Sequence, residues 1–477
     1  LNAIPHKLEV AGLQRLSAIP HKLEVAGLQR LSAIPTSRAI SKAHAEEKVA
    51  SALYDKLAMP KPSRIQQGAA KQLTTKDEAR FPLELCPWLS FGQCGVSFLG
   101  GERACGRVLQ QLCKYHPLPG VVLEYRTVQK ILGTYVEPLL NKVHRDSSAP
   151  GASSIHCQWH NTHTATGRLS SSNPNLQAMP KFTLQGRCTE GSGSEVNVCV
   201  RDAFVAREGY IMLAADYSQI ELRMLAHCSQ DPGLVQLLRQ AGATGDVFSH
   251  LWNTSRGLMP GTPVDQSDRE KAKRTVYGII YGQGPSGLAS KLGVSVEAAS
   301  SLIGDLYRLF PRMKAFLQFV RTRAQQEGCT VVCSGRRRPL PNIRSSNSKL
   351  QAEAERQAVN TVFQGSAADL MKRAMLQWWK EIGTTEGVRL VAQIHDELLV
   401  ECPEARLFKV AHATKIVMEH ADKLHVPLVV NLSSGHSWGR LKPLDLDSRP
   451  EIDGIVQSTR HPGHPQQHEH MHYKPSF

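Results

Sequence analysis

The segment Tyr210-Ile-Met-Leu-Ala-Ala-Asp216 is an apolar run that ends on a single carboxylate, and a second apolar run, Leu390-Val-Ala-Gln-Ile-His395, leads into Asp396-Glu397. Both read as strands, and residues 388–401 read as a hairpin whose tight turn presents His395, Asp396 and Glu397. Taken singly, an Asp at a strand end is far more often a turn or helix-cap residue than a ligand. As a pair on rigid strand ends, Asp216 and Asp396 have the oxygen chemistry that holds hard divalent cations.

Between the two strands lies a basic helix with Arg269, Lys273, Tyr277 and Tyr281 at a four-residue step, which puts two cations and two rings on one face. At ~1.5 Å per residue the set spans ~18 Å, about the length of a nucleoside triphosphate. Arg suits a terminal phosphate, Lys the next one, and the rings a sugar and base. Gly278 and Gly282 would let a flat base approach the backbone. Alone, the pattern equally describes a solvated basic stripe with two core tyrosines. With the carboxylates it describes metal-dependent transfer of a nucleotidyl group, in which two cations activate an attacking hydroxyl and stabilise the departing oxygen.

Three weaker patterns accompany it. Arg356, Asn360 and Gln364 recur at four-residue steps before Gly365-Ser-Ala-Ala, and side-chain amides suit minor-groove acceptors that look alike in every base pair. Gly335-Arg-Arg-Arg-Pro-Leu-Pro341, with Arg336 and Arg337, suits phosphate contact or a nuclear-localisation patch. Gly167-Arg168-Leu-Ser-Ser-Ser-Asn-Pro-Asn-Leu-Gln177, with Arg168, Asn175 and Gln177, suits a strand-backbone cradle. Each alone is as well explained by a polar face in solvent.

The chain has 477 residues, enough for three domain-sized units or one multi-lobed enzyme. Its 57 Lys plus Arg against 42 Asp plus Glu give +15, which favours a polyanionic partner, nucleic acid before a membrane surface, although a merely soluble basic protein fits that charge equally well. The 11 cysteines contain no C-x-x-C pair, so neither a disulfide framework nor a zinc site is expected. No apolar run approaches the ~18 residues of a membrane span. The lack of a leader and of an initial Met suggests a fragment of an intracellular protein.

Residues 3–15 recur unchanged as 18–30, as an assembly artefact or a recent duplication would. Residues 61–106 are rich in Pro, Gly and Cys and read as loop. A helical face, Val121, Val122, Tyr125, Val128 and Ile131, runs on to about residue 143. Polar insertions are expected at 147–154 and 184–195. Helices are expected from Ser218 past Met224 and over 265–281, 296–326 and 348–379. The tail carries five His between His461 and His472 and reads as disordered rather than metal-binding.

Asp216-Tyr-Ser-Gln-Ile-Glu-Leu-Arg223, then Arg269-x3-Lys273-x3-Tyr277-Gly-x2-Tyr281-Gly, then His395-Asp-Glu397 resemble, in order, the three polymerase motifs of family A DNA polymerases. Thr164-Ala-Thr-Gly-Arg-Leu-Ser170 and Gln364-Gly-Ser-Ala-Ala-Asp369 resemble further family motifs, and the resemblance covers residues 117–439. Within the family, His116-Pro-Leu-Pro, Leu123-Glu-Tyr-Arg and Ser437-Trp-Gly are most similar to the vertebrate nu-type branch, with the theta type second.

The resemblance implies an α+β right-hand fold with an antiparallel palm sheet, helical fingers and a helical thumb. It implies a truncated or divergent thumb at 51–150, the first part of the palm at 151–240, fingers at 241–330 and the second part of the palm at 331–445, between a duplicated segment at 1–50, read as artefact or disorder, and a disordered His-rich tail at 446–477. Asp216, Asp396 and the Tyr217 carbonyl would hold two Mg²⁺ ions, with Mn²⁺ able to substitute and Glu397 assisting. Lys273 would act in catalysis, and Arg269, Lys273, Tyr277, Tyr281, Gln219 and Glu221 would bind the dNTP, Glu221 closing the ribose 2′ position. Arg168, Asn175, Gln177, Arg336, Arg337, Arg356, Asn360, Gln364 and His395 would contact primer-template DNA.

Phe248 stands where many members place a triphosphate-contacting His, and Arg274 follows Lys273 where accurate members carry a small residue. The segment before His116 is short and shows no proofreading carboxylate set. The expectation is a low-fidelity DNA polymerase of repair or translesion synthesis in the nucleus, recruited by repair proteins that the sequence does not identify. A catalytically impaired DNA-binding scaffold is the rival. A single-subunit RNA polymerase would share the palm, and Glu221 near Tyr217 argues against it.

Overall fold

The structure is a computed structural model that describes residues 8–9, 106, 109–110, 113–114, 118–145, 153–181, 184–187, 195–244, 246–259 and 261–447. The duplication other than residues 8–9, the loop-rich stretch at 61–105 and the His-rich tail from residue 448 lie outside the described residues. The chain divides into two compact units, one of Leu1–Ala11, His144–Met179 and Phe204–Phe477, the other of Gly12–Val143 and Pro180–Ala203.

In the second unit, the helix Leu118–Ile131 passes through a π-helical turn, Leu132–Val136, into Glu137–Leu140. Val122, Val128, Ile131, Leu132, Val136 and Leu139 are buried, the stripe that three- and four-residue spacing dictates. The insertion expected at 184–195 is partly regular, because Leu184–Arg187 pairs antiparallel with Glu195–Val198. Val196 and Val198 supply β-branched positions that the intervening polar run conceals.

The first unit is built on a five-stranded antiparallel sheet of β1 (Tyr210–Tyr217), β2 (Arg389–Ile394), β3 (Glu397–Pro403), β4 (Val430–Gly435) and β5 (Lys442–Pro443), in the order β2-β3-β1-β4-β5. Strand β1 is central. Its Leu213, Ala215 and Tyr217 share the buried core with cross-strand partners Val400, Leu398, Leu432 and Val430. The two-residue period therefore sends Asp216 to the other face, between Glu397 of β3 and Asn431 of β4. Strands β2 and β3 join through two residues, His395 and Asp396, with His395 left-handed at φ +57° as such short hairpin turns require.

Helices cover the buried face and continue beyond it. Besides the helix Pro232–Thr244, they are α1 (Ile220–Ser229), α2 (Val247–Arg256), α3 (Gln266–Ile280), α4 (Pro285–Leu292), α5 (Val296–Leu309), α6 (Pro311–Glu327), α7 (Ser348–Glu381) and α8 (Leu407–Glu419). Two hydrogen bonds lock the core beneath the sheet, Tyr217 OH to the Met418 carbonyl at 2.6 Å and Trp378 Nε1 to Thr414 Oγ1 at 2.9 Å. Trp378 is fully buried, and emptying such a site costs about 3–5 kcal/mol.

Helix α3 begins where Asp265 caps the Asp268 N–H at 2.7 Å. The single helix expected over 296–326 is two helices. Pro311 has no N–H to donate and pushes Phe310 out of helical geometry, to φ −126° and ψ 72°. Helix α4 lies between those expected over 265–281 and 296–326; Pro285 opens it and left-handed Gly293, at φ 69°, closes it.

Candidate active site

The two carboxylate segments meet through the main chain. The Tyr217 N–H donates to the Asp396 carbonyl at 3.1 Å, and the Ser218 N–H donates to the Val429 carbonyl at 2.8 Å. The chain then turns sharply at Gln219, left-handed at φ 54°. Arg223 fixes that turn from within the core, donating to the carbonyls of Ser218 at 2.8 Å and Pro427 at 2.6 Å. Glu397 thus pairs with Asp216 in the ladder, and Asp396 stands beside them in the turn.

Arg168 bridges two acids. Its Nη2 lies 2.7 Å from Glu221 Oε1 and 3.6 Å from Asp396 Oδ1. Burial raises the Asp396 carboxyl above its ordinary range, and the charges of Arg168 and His395 offset only part of that. Glu221 is 4 % exposed. Burial raises its carboxyl too, against the opposing pull of Arg168 and a hydrogen bond with Tyr281.

Among the described residues no group of three or more His, Cys, Asp and Glu forms a closed cation cage. Phosphoryl-transfer Mg²⁺ does not need one, since it keeps waters and substrate phosphates around one or two carboxylates. Asp216, Asp396 and the Tyr217 carbonyl are such an open set of hard oxygens. A cation there would relieve the cost of burying Asp396 as an anion, so the donors fit Mg²⁺.

The basic helix faces the same region through a side-chain bond. Tyr277 OH donates to Gln219 Oε1 at 2.6 Å, joining α3 to the turn after Asp216. The rings of Tyr277 and Tyr281 stack with centroids 5.8 Å apart. Buried Phe248 lies 6.1 Å from Tyr277. The Tyr281 phenol is pushed up to about 12, first by burial and then by Glu221.

Arg269 and Lys273 stand on the first two turns of α3. The Arg269 Nε donates to both oxygens of Asp246, at 3.1 and 3.0 Å, and Lys273 Nζ is 3.9 Å from Glu270. Arg274 turns aside, its Nη1 bonded to the Lys291 carbonyl at 3.2 Å near the end of α4. Both glycines pack closely against neighbours. A Cβ on Gly278 would meet Leu288 at 3.2 Å, and one on Gly282, which has φ +65°, would meet Arg356 Cγ at 3.0 Å.

The expected DNA-contacting residues divide into exposed and enclosed ones. Arg356 and Asn175 are exposed, Asn360 Oδ1 is buried without a protein partner, and Gln364 reaches Tyr281. Gln177 Nε2 donates to the carbonyl and side chain of Gln393, both at 3.1 Å, and Gln393 Nε2 donates to the His395 carbonyl. Arg337 is exposed at the end of its hairpin, 3.5 Å from Glu327.

Arg336 is enclosed. It bonds to the Thr166 carbonyl at 2.8 Å, the Gly365 carbonyl at 3.2 Å and Asp369 at 3.0 Å. At Gly167 a Cβ would stand 2.6 Å from the guanidinium, so the missing side chain makes room for it. In this arrangement Arg336 braces the loop that carries Arg168. Sequence reasoning missed Asp246 and Asn431. Asp246 gives only an N-cap signal before Ser249, and Asn431 gives none, because its place beside Asp216 is set by strand register alone.

The sheet and its helices have the architecture of a polymerase palm and fingers. Residues 100–440 match the family model described as DNA polymerase family A, and the chain belongs to that family. DNA polymerase I of Chloroflexus aurantiacus is 38% identical over 352 residues, 73% of this chain and 35% of that protein. The thermostable DNA polymerase I of Thermus aquaticus is 34% identical over 354 residues, 73% of this chain and 40% of its own length. The chain therefore spans little more than a third of the curated relatives it matches. Among solved structures, the POL domain of Pol1 from M. smegmatis in complex with DNA primer-template and dNTP has a TM-score of 0.67 at 30% identity, covering 91% of this chain and 67% of that one.

Proposed function

We propose that this chain is a template-directed DNA polymerase that adds dNTPs to the 3′ end of a primer on primer-template DNA. The observation that carries the reading is the convergence of Asp216 and Asp396 on bonded main-chain positions, with the Arg269–Tyr281 face of α3 joined to the same turn through Tyr277 and Gln219. Two Mg²⁺ ions held by Asp216, Asp396 and the Tyr217 carbonyl, with Glu397 beside them, would lower the pKa of the primer hydroxyl and neutralise charge at the reacting phosphate. Arg269 and Lys273 would grip the triphosphate, and Lys273 would give a proton to the departing pyrophosphate. Tyr277 supports the sugar and base. Glu221, pinned by Arg168, closes the space a 2′-hydroxyl needs. Exposed Arg356 and the amides of Asn360 and Gln364 follow the duplex.

We further read the chain as a nu-type enzyme, theta-type second, of low fidelity, acting in repair or translesion synthesis in the nucleus with repair proteins as partners. The branch motifs support it; Arg274, bonded toward Lys291, adds little to the fidelity argument. Primer extension tests the proposal against its rivals. Product with dNTPs supports it, product with NTPs alone points to RNA synthesis, and duplex binding without product points to a scaffold.

A further inference from the structure

We infer that Asp246 is a positioning residue for the incoming triphosphate, holding the Arg269 guanidinium so that its outer edge meets the terminal phosphate. The inference rests on the nucleotide-binding reading of α3. A guanidinium is a planar fork of five N–H donors, so anchoring one of them sets the direction of the rest. Here Nε alone is anchored, by both oxygens of Asp246. The Nη1 atom stands 3.8 Å from Glu270, beyond hydrogen-bond range. The edge formed by the two Nη groups stays open to pair bidentately with a phosphate.

Asp246 is itself rigid. As N-cap of α2 it accepts from the Phe248 N–H at 3.2 Å and the Ser249 N–H at 3.4 Å, and from the Ser249 hydroxyl. Buried Phe248 lies beneath, with the guanidinium carbon 5.8 Å from its ring. Burial raises the Asp246 carboxyl, but the bonds from Ser249 and Arg269 outweigh it and keep the group below its ordinary range. Arg269 and Asp246 side chains are 30% and 38% exposed, so water screens the pair and it contributes little to folding. Its use is geometric. It aims a cation from one turn above Lys273, along the line of the polyphosphate.

The test is a double-mutant cycle on the full chain, with dTTP on primer-template DNA. Asp246→Asn should raise KM for dTTP about five- to tenfold while kcat changes less than about twofold. In an Arg269→Ala background the same change should add nothing, because the group being aimed is gone. Effects that multiply in both backgrounds would reduce Asp246 to a structural cap. An unchanged or lower KM would show that its charge merely competes with the nucleotide. Asp246→Ser, which keeps a capping oxygen, replaces Asp246→Asn if that variant melts early. Retention of dTTP on a dideoxy-terminated primer-template complex, followed by gel shift, reads the same coupling without chemistry. Wild-type protein that retains dTTP but does not extend primers would overturn the polymerase reading and leave this one standing.

Discussion

The backbone N–H of Tyr217 and the carbonyl of Asp396 are joined at 3.1 Å, so the residue after one carboxylate is hydrogen-bonded to the main chain of the other. The spacing of the two acids is thereby set by a sheet ladder instead of by flexible side chains. Charged groups held this way need no rearrangement when substrate arrives.

Asp216→Ala and Asp396→Ala should each abolish nucleotide addition and leave duplex affinity within about threefold, because phosphate contacts elsewhere dominate that affinity. Primer extension and gel shift on the same preparations check this. Extension near the wild-type rate by either variant would remove that residue from the metal set.

Glu221→Ala should lower dNTP over NTP selectivity by at least about a hundredfold, since a steric gate is lost and Arg168 loses its 2.7 Å partner. Part of the loss should appear as a rise in KM for dNTPs as Arg168 drifts toward Asp396. Unchanged selectivity, measured as kcat/KM for dCTP and CTP, would place the gate elsewhere.

Tyr277→Phe removes the phenol that donates to Gln219 and that would support a sugar lacking its 3′-hydroxyl. At about 1 kcal/mol per hydrogen bond, discrimination against ddTTP should rise at least roughly fivefold, with dTTP incorporation changing much less. Gln219→Ala should move the same ratio by changing how the phenol is oriented. Equal ratios in all three proteins would dissociate Tyr277 from the sugar.

His227 predicts an acid sensitivity remote from the site. Burial first, and then the charge of His425, lower its pKa to about 4, and its Nδ1 accepts the His425 N–H at 3.3 Å. The folded protein thus holds the ring neutral where the unfolded chain, near 6.5, takes up a proton. Stability should be complete above about pH 6.5 and fall as pH drops toward 4. His227→Gln should flatten that slope in a melting-temperature series. An unchanged slope would assign the acid loss to other groups.

The strands ending on Asp216 and Asp396 and the four-step face of α3 were legible because periodicity is local and each pattern repeats over several residues. Pro311 divides the helix expected over 296–326 in two, because it lacks the N–H that would continue the helix. Residues whose role depends on a distant partner were not legible. Arg336 reads as a free cation until Gly167 and Gly365 are brought beside it, and Asp246 reads as an ordinary cap until α3 delivers Arg269. Asn431 could be found only from a register that no single segment encodes.

The connection between β2 and β3 consists of His395 and Asp396 alone. Changing its length by one residue would reverse every side chain of one strand, sending Leu398, Val400 and Cys402 outward and carrying Glu397 off the face of Asp216. A substitution at Asp396 alters the chemistry and leaves the strand register in place, whereas a single-codon insertion or deletion disrupts core and chemistry together. This stretch of the gene therefore tolerates a change of length even less than a change of residue.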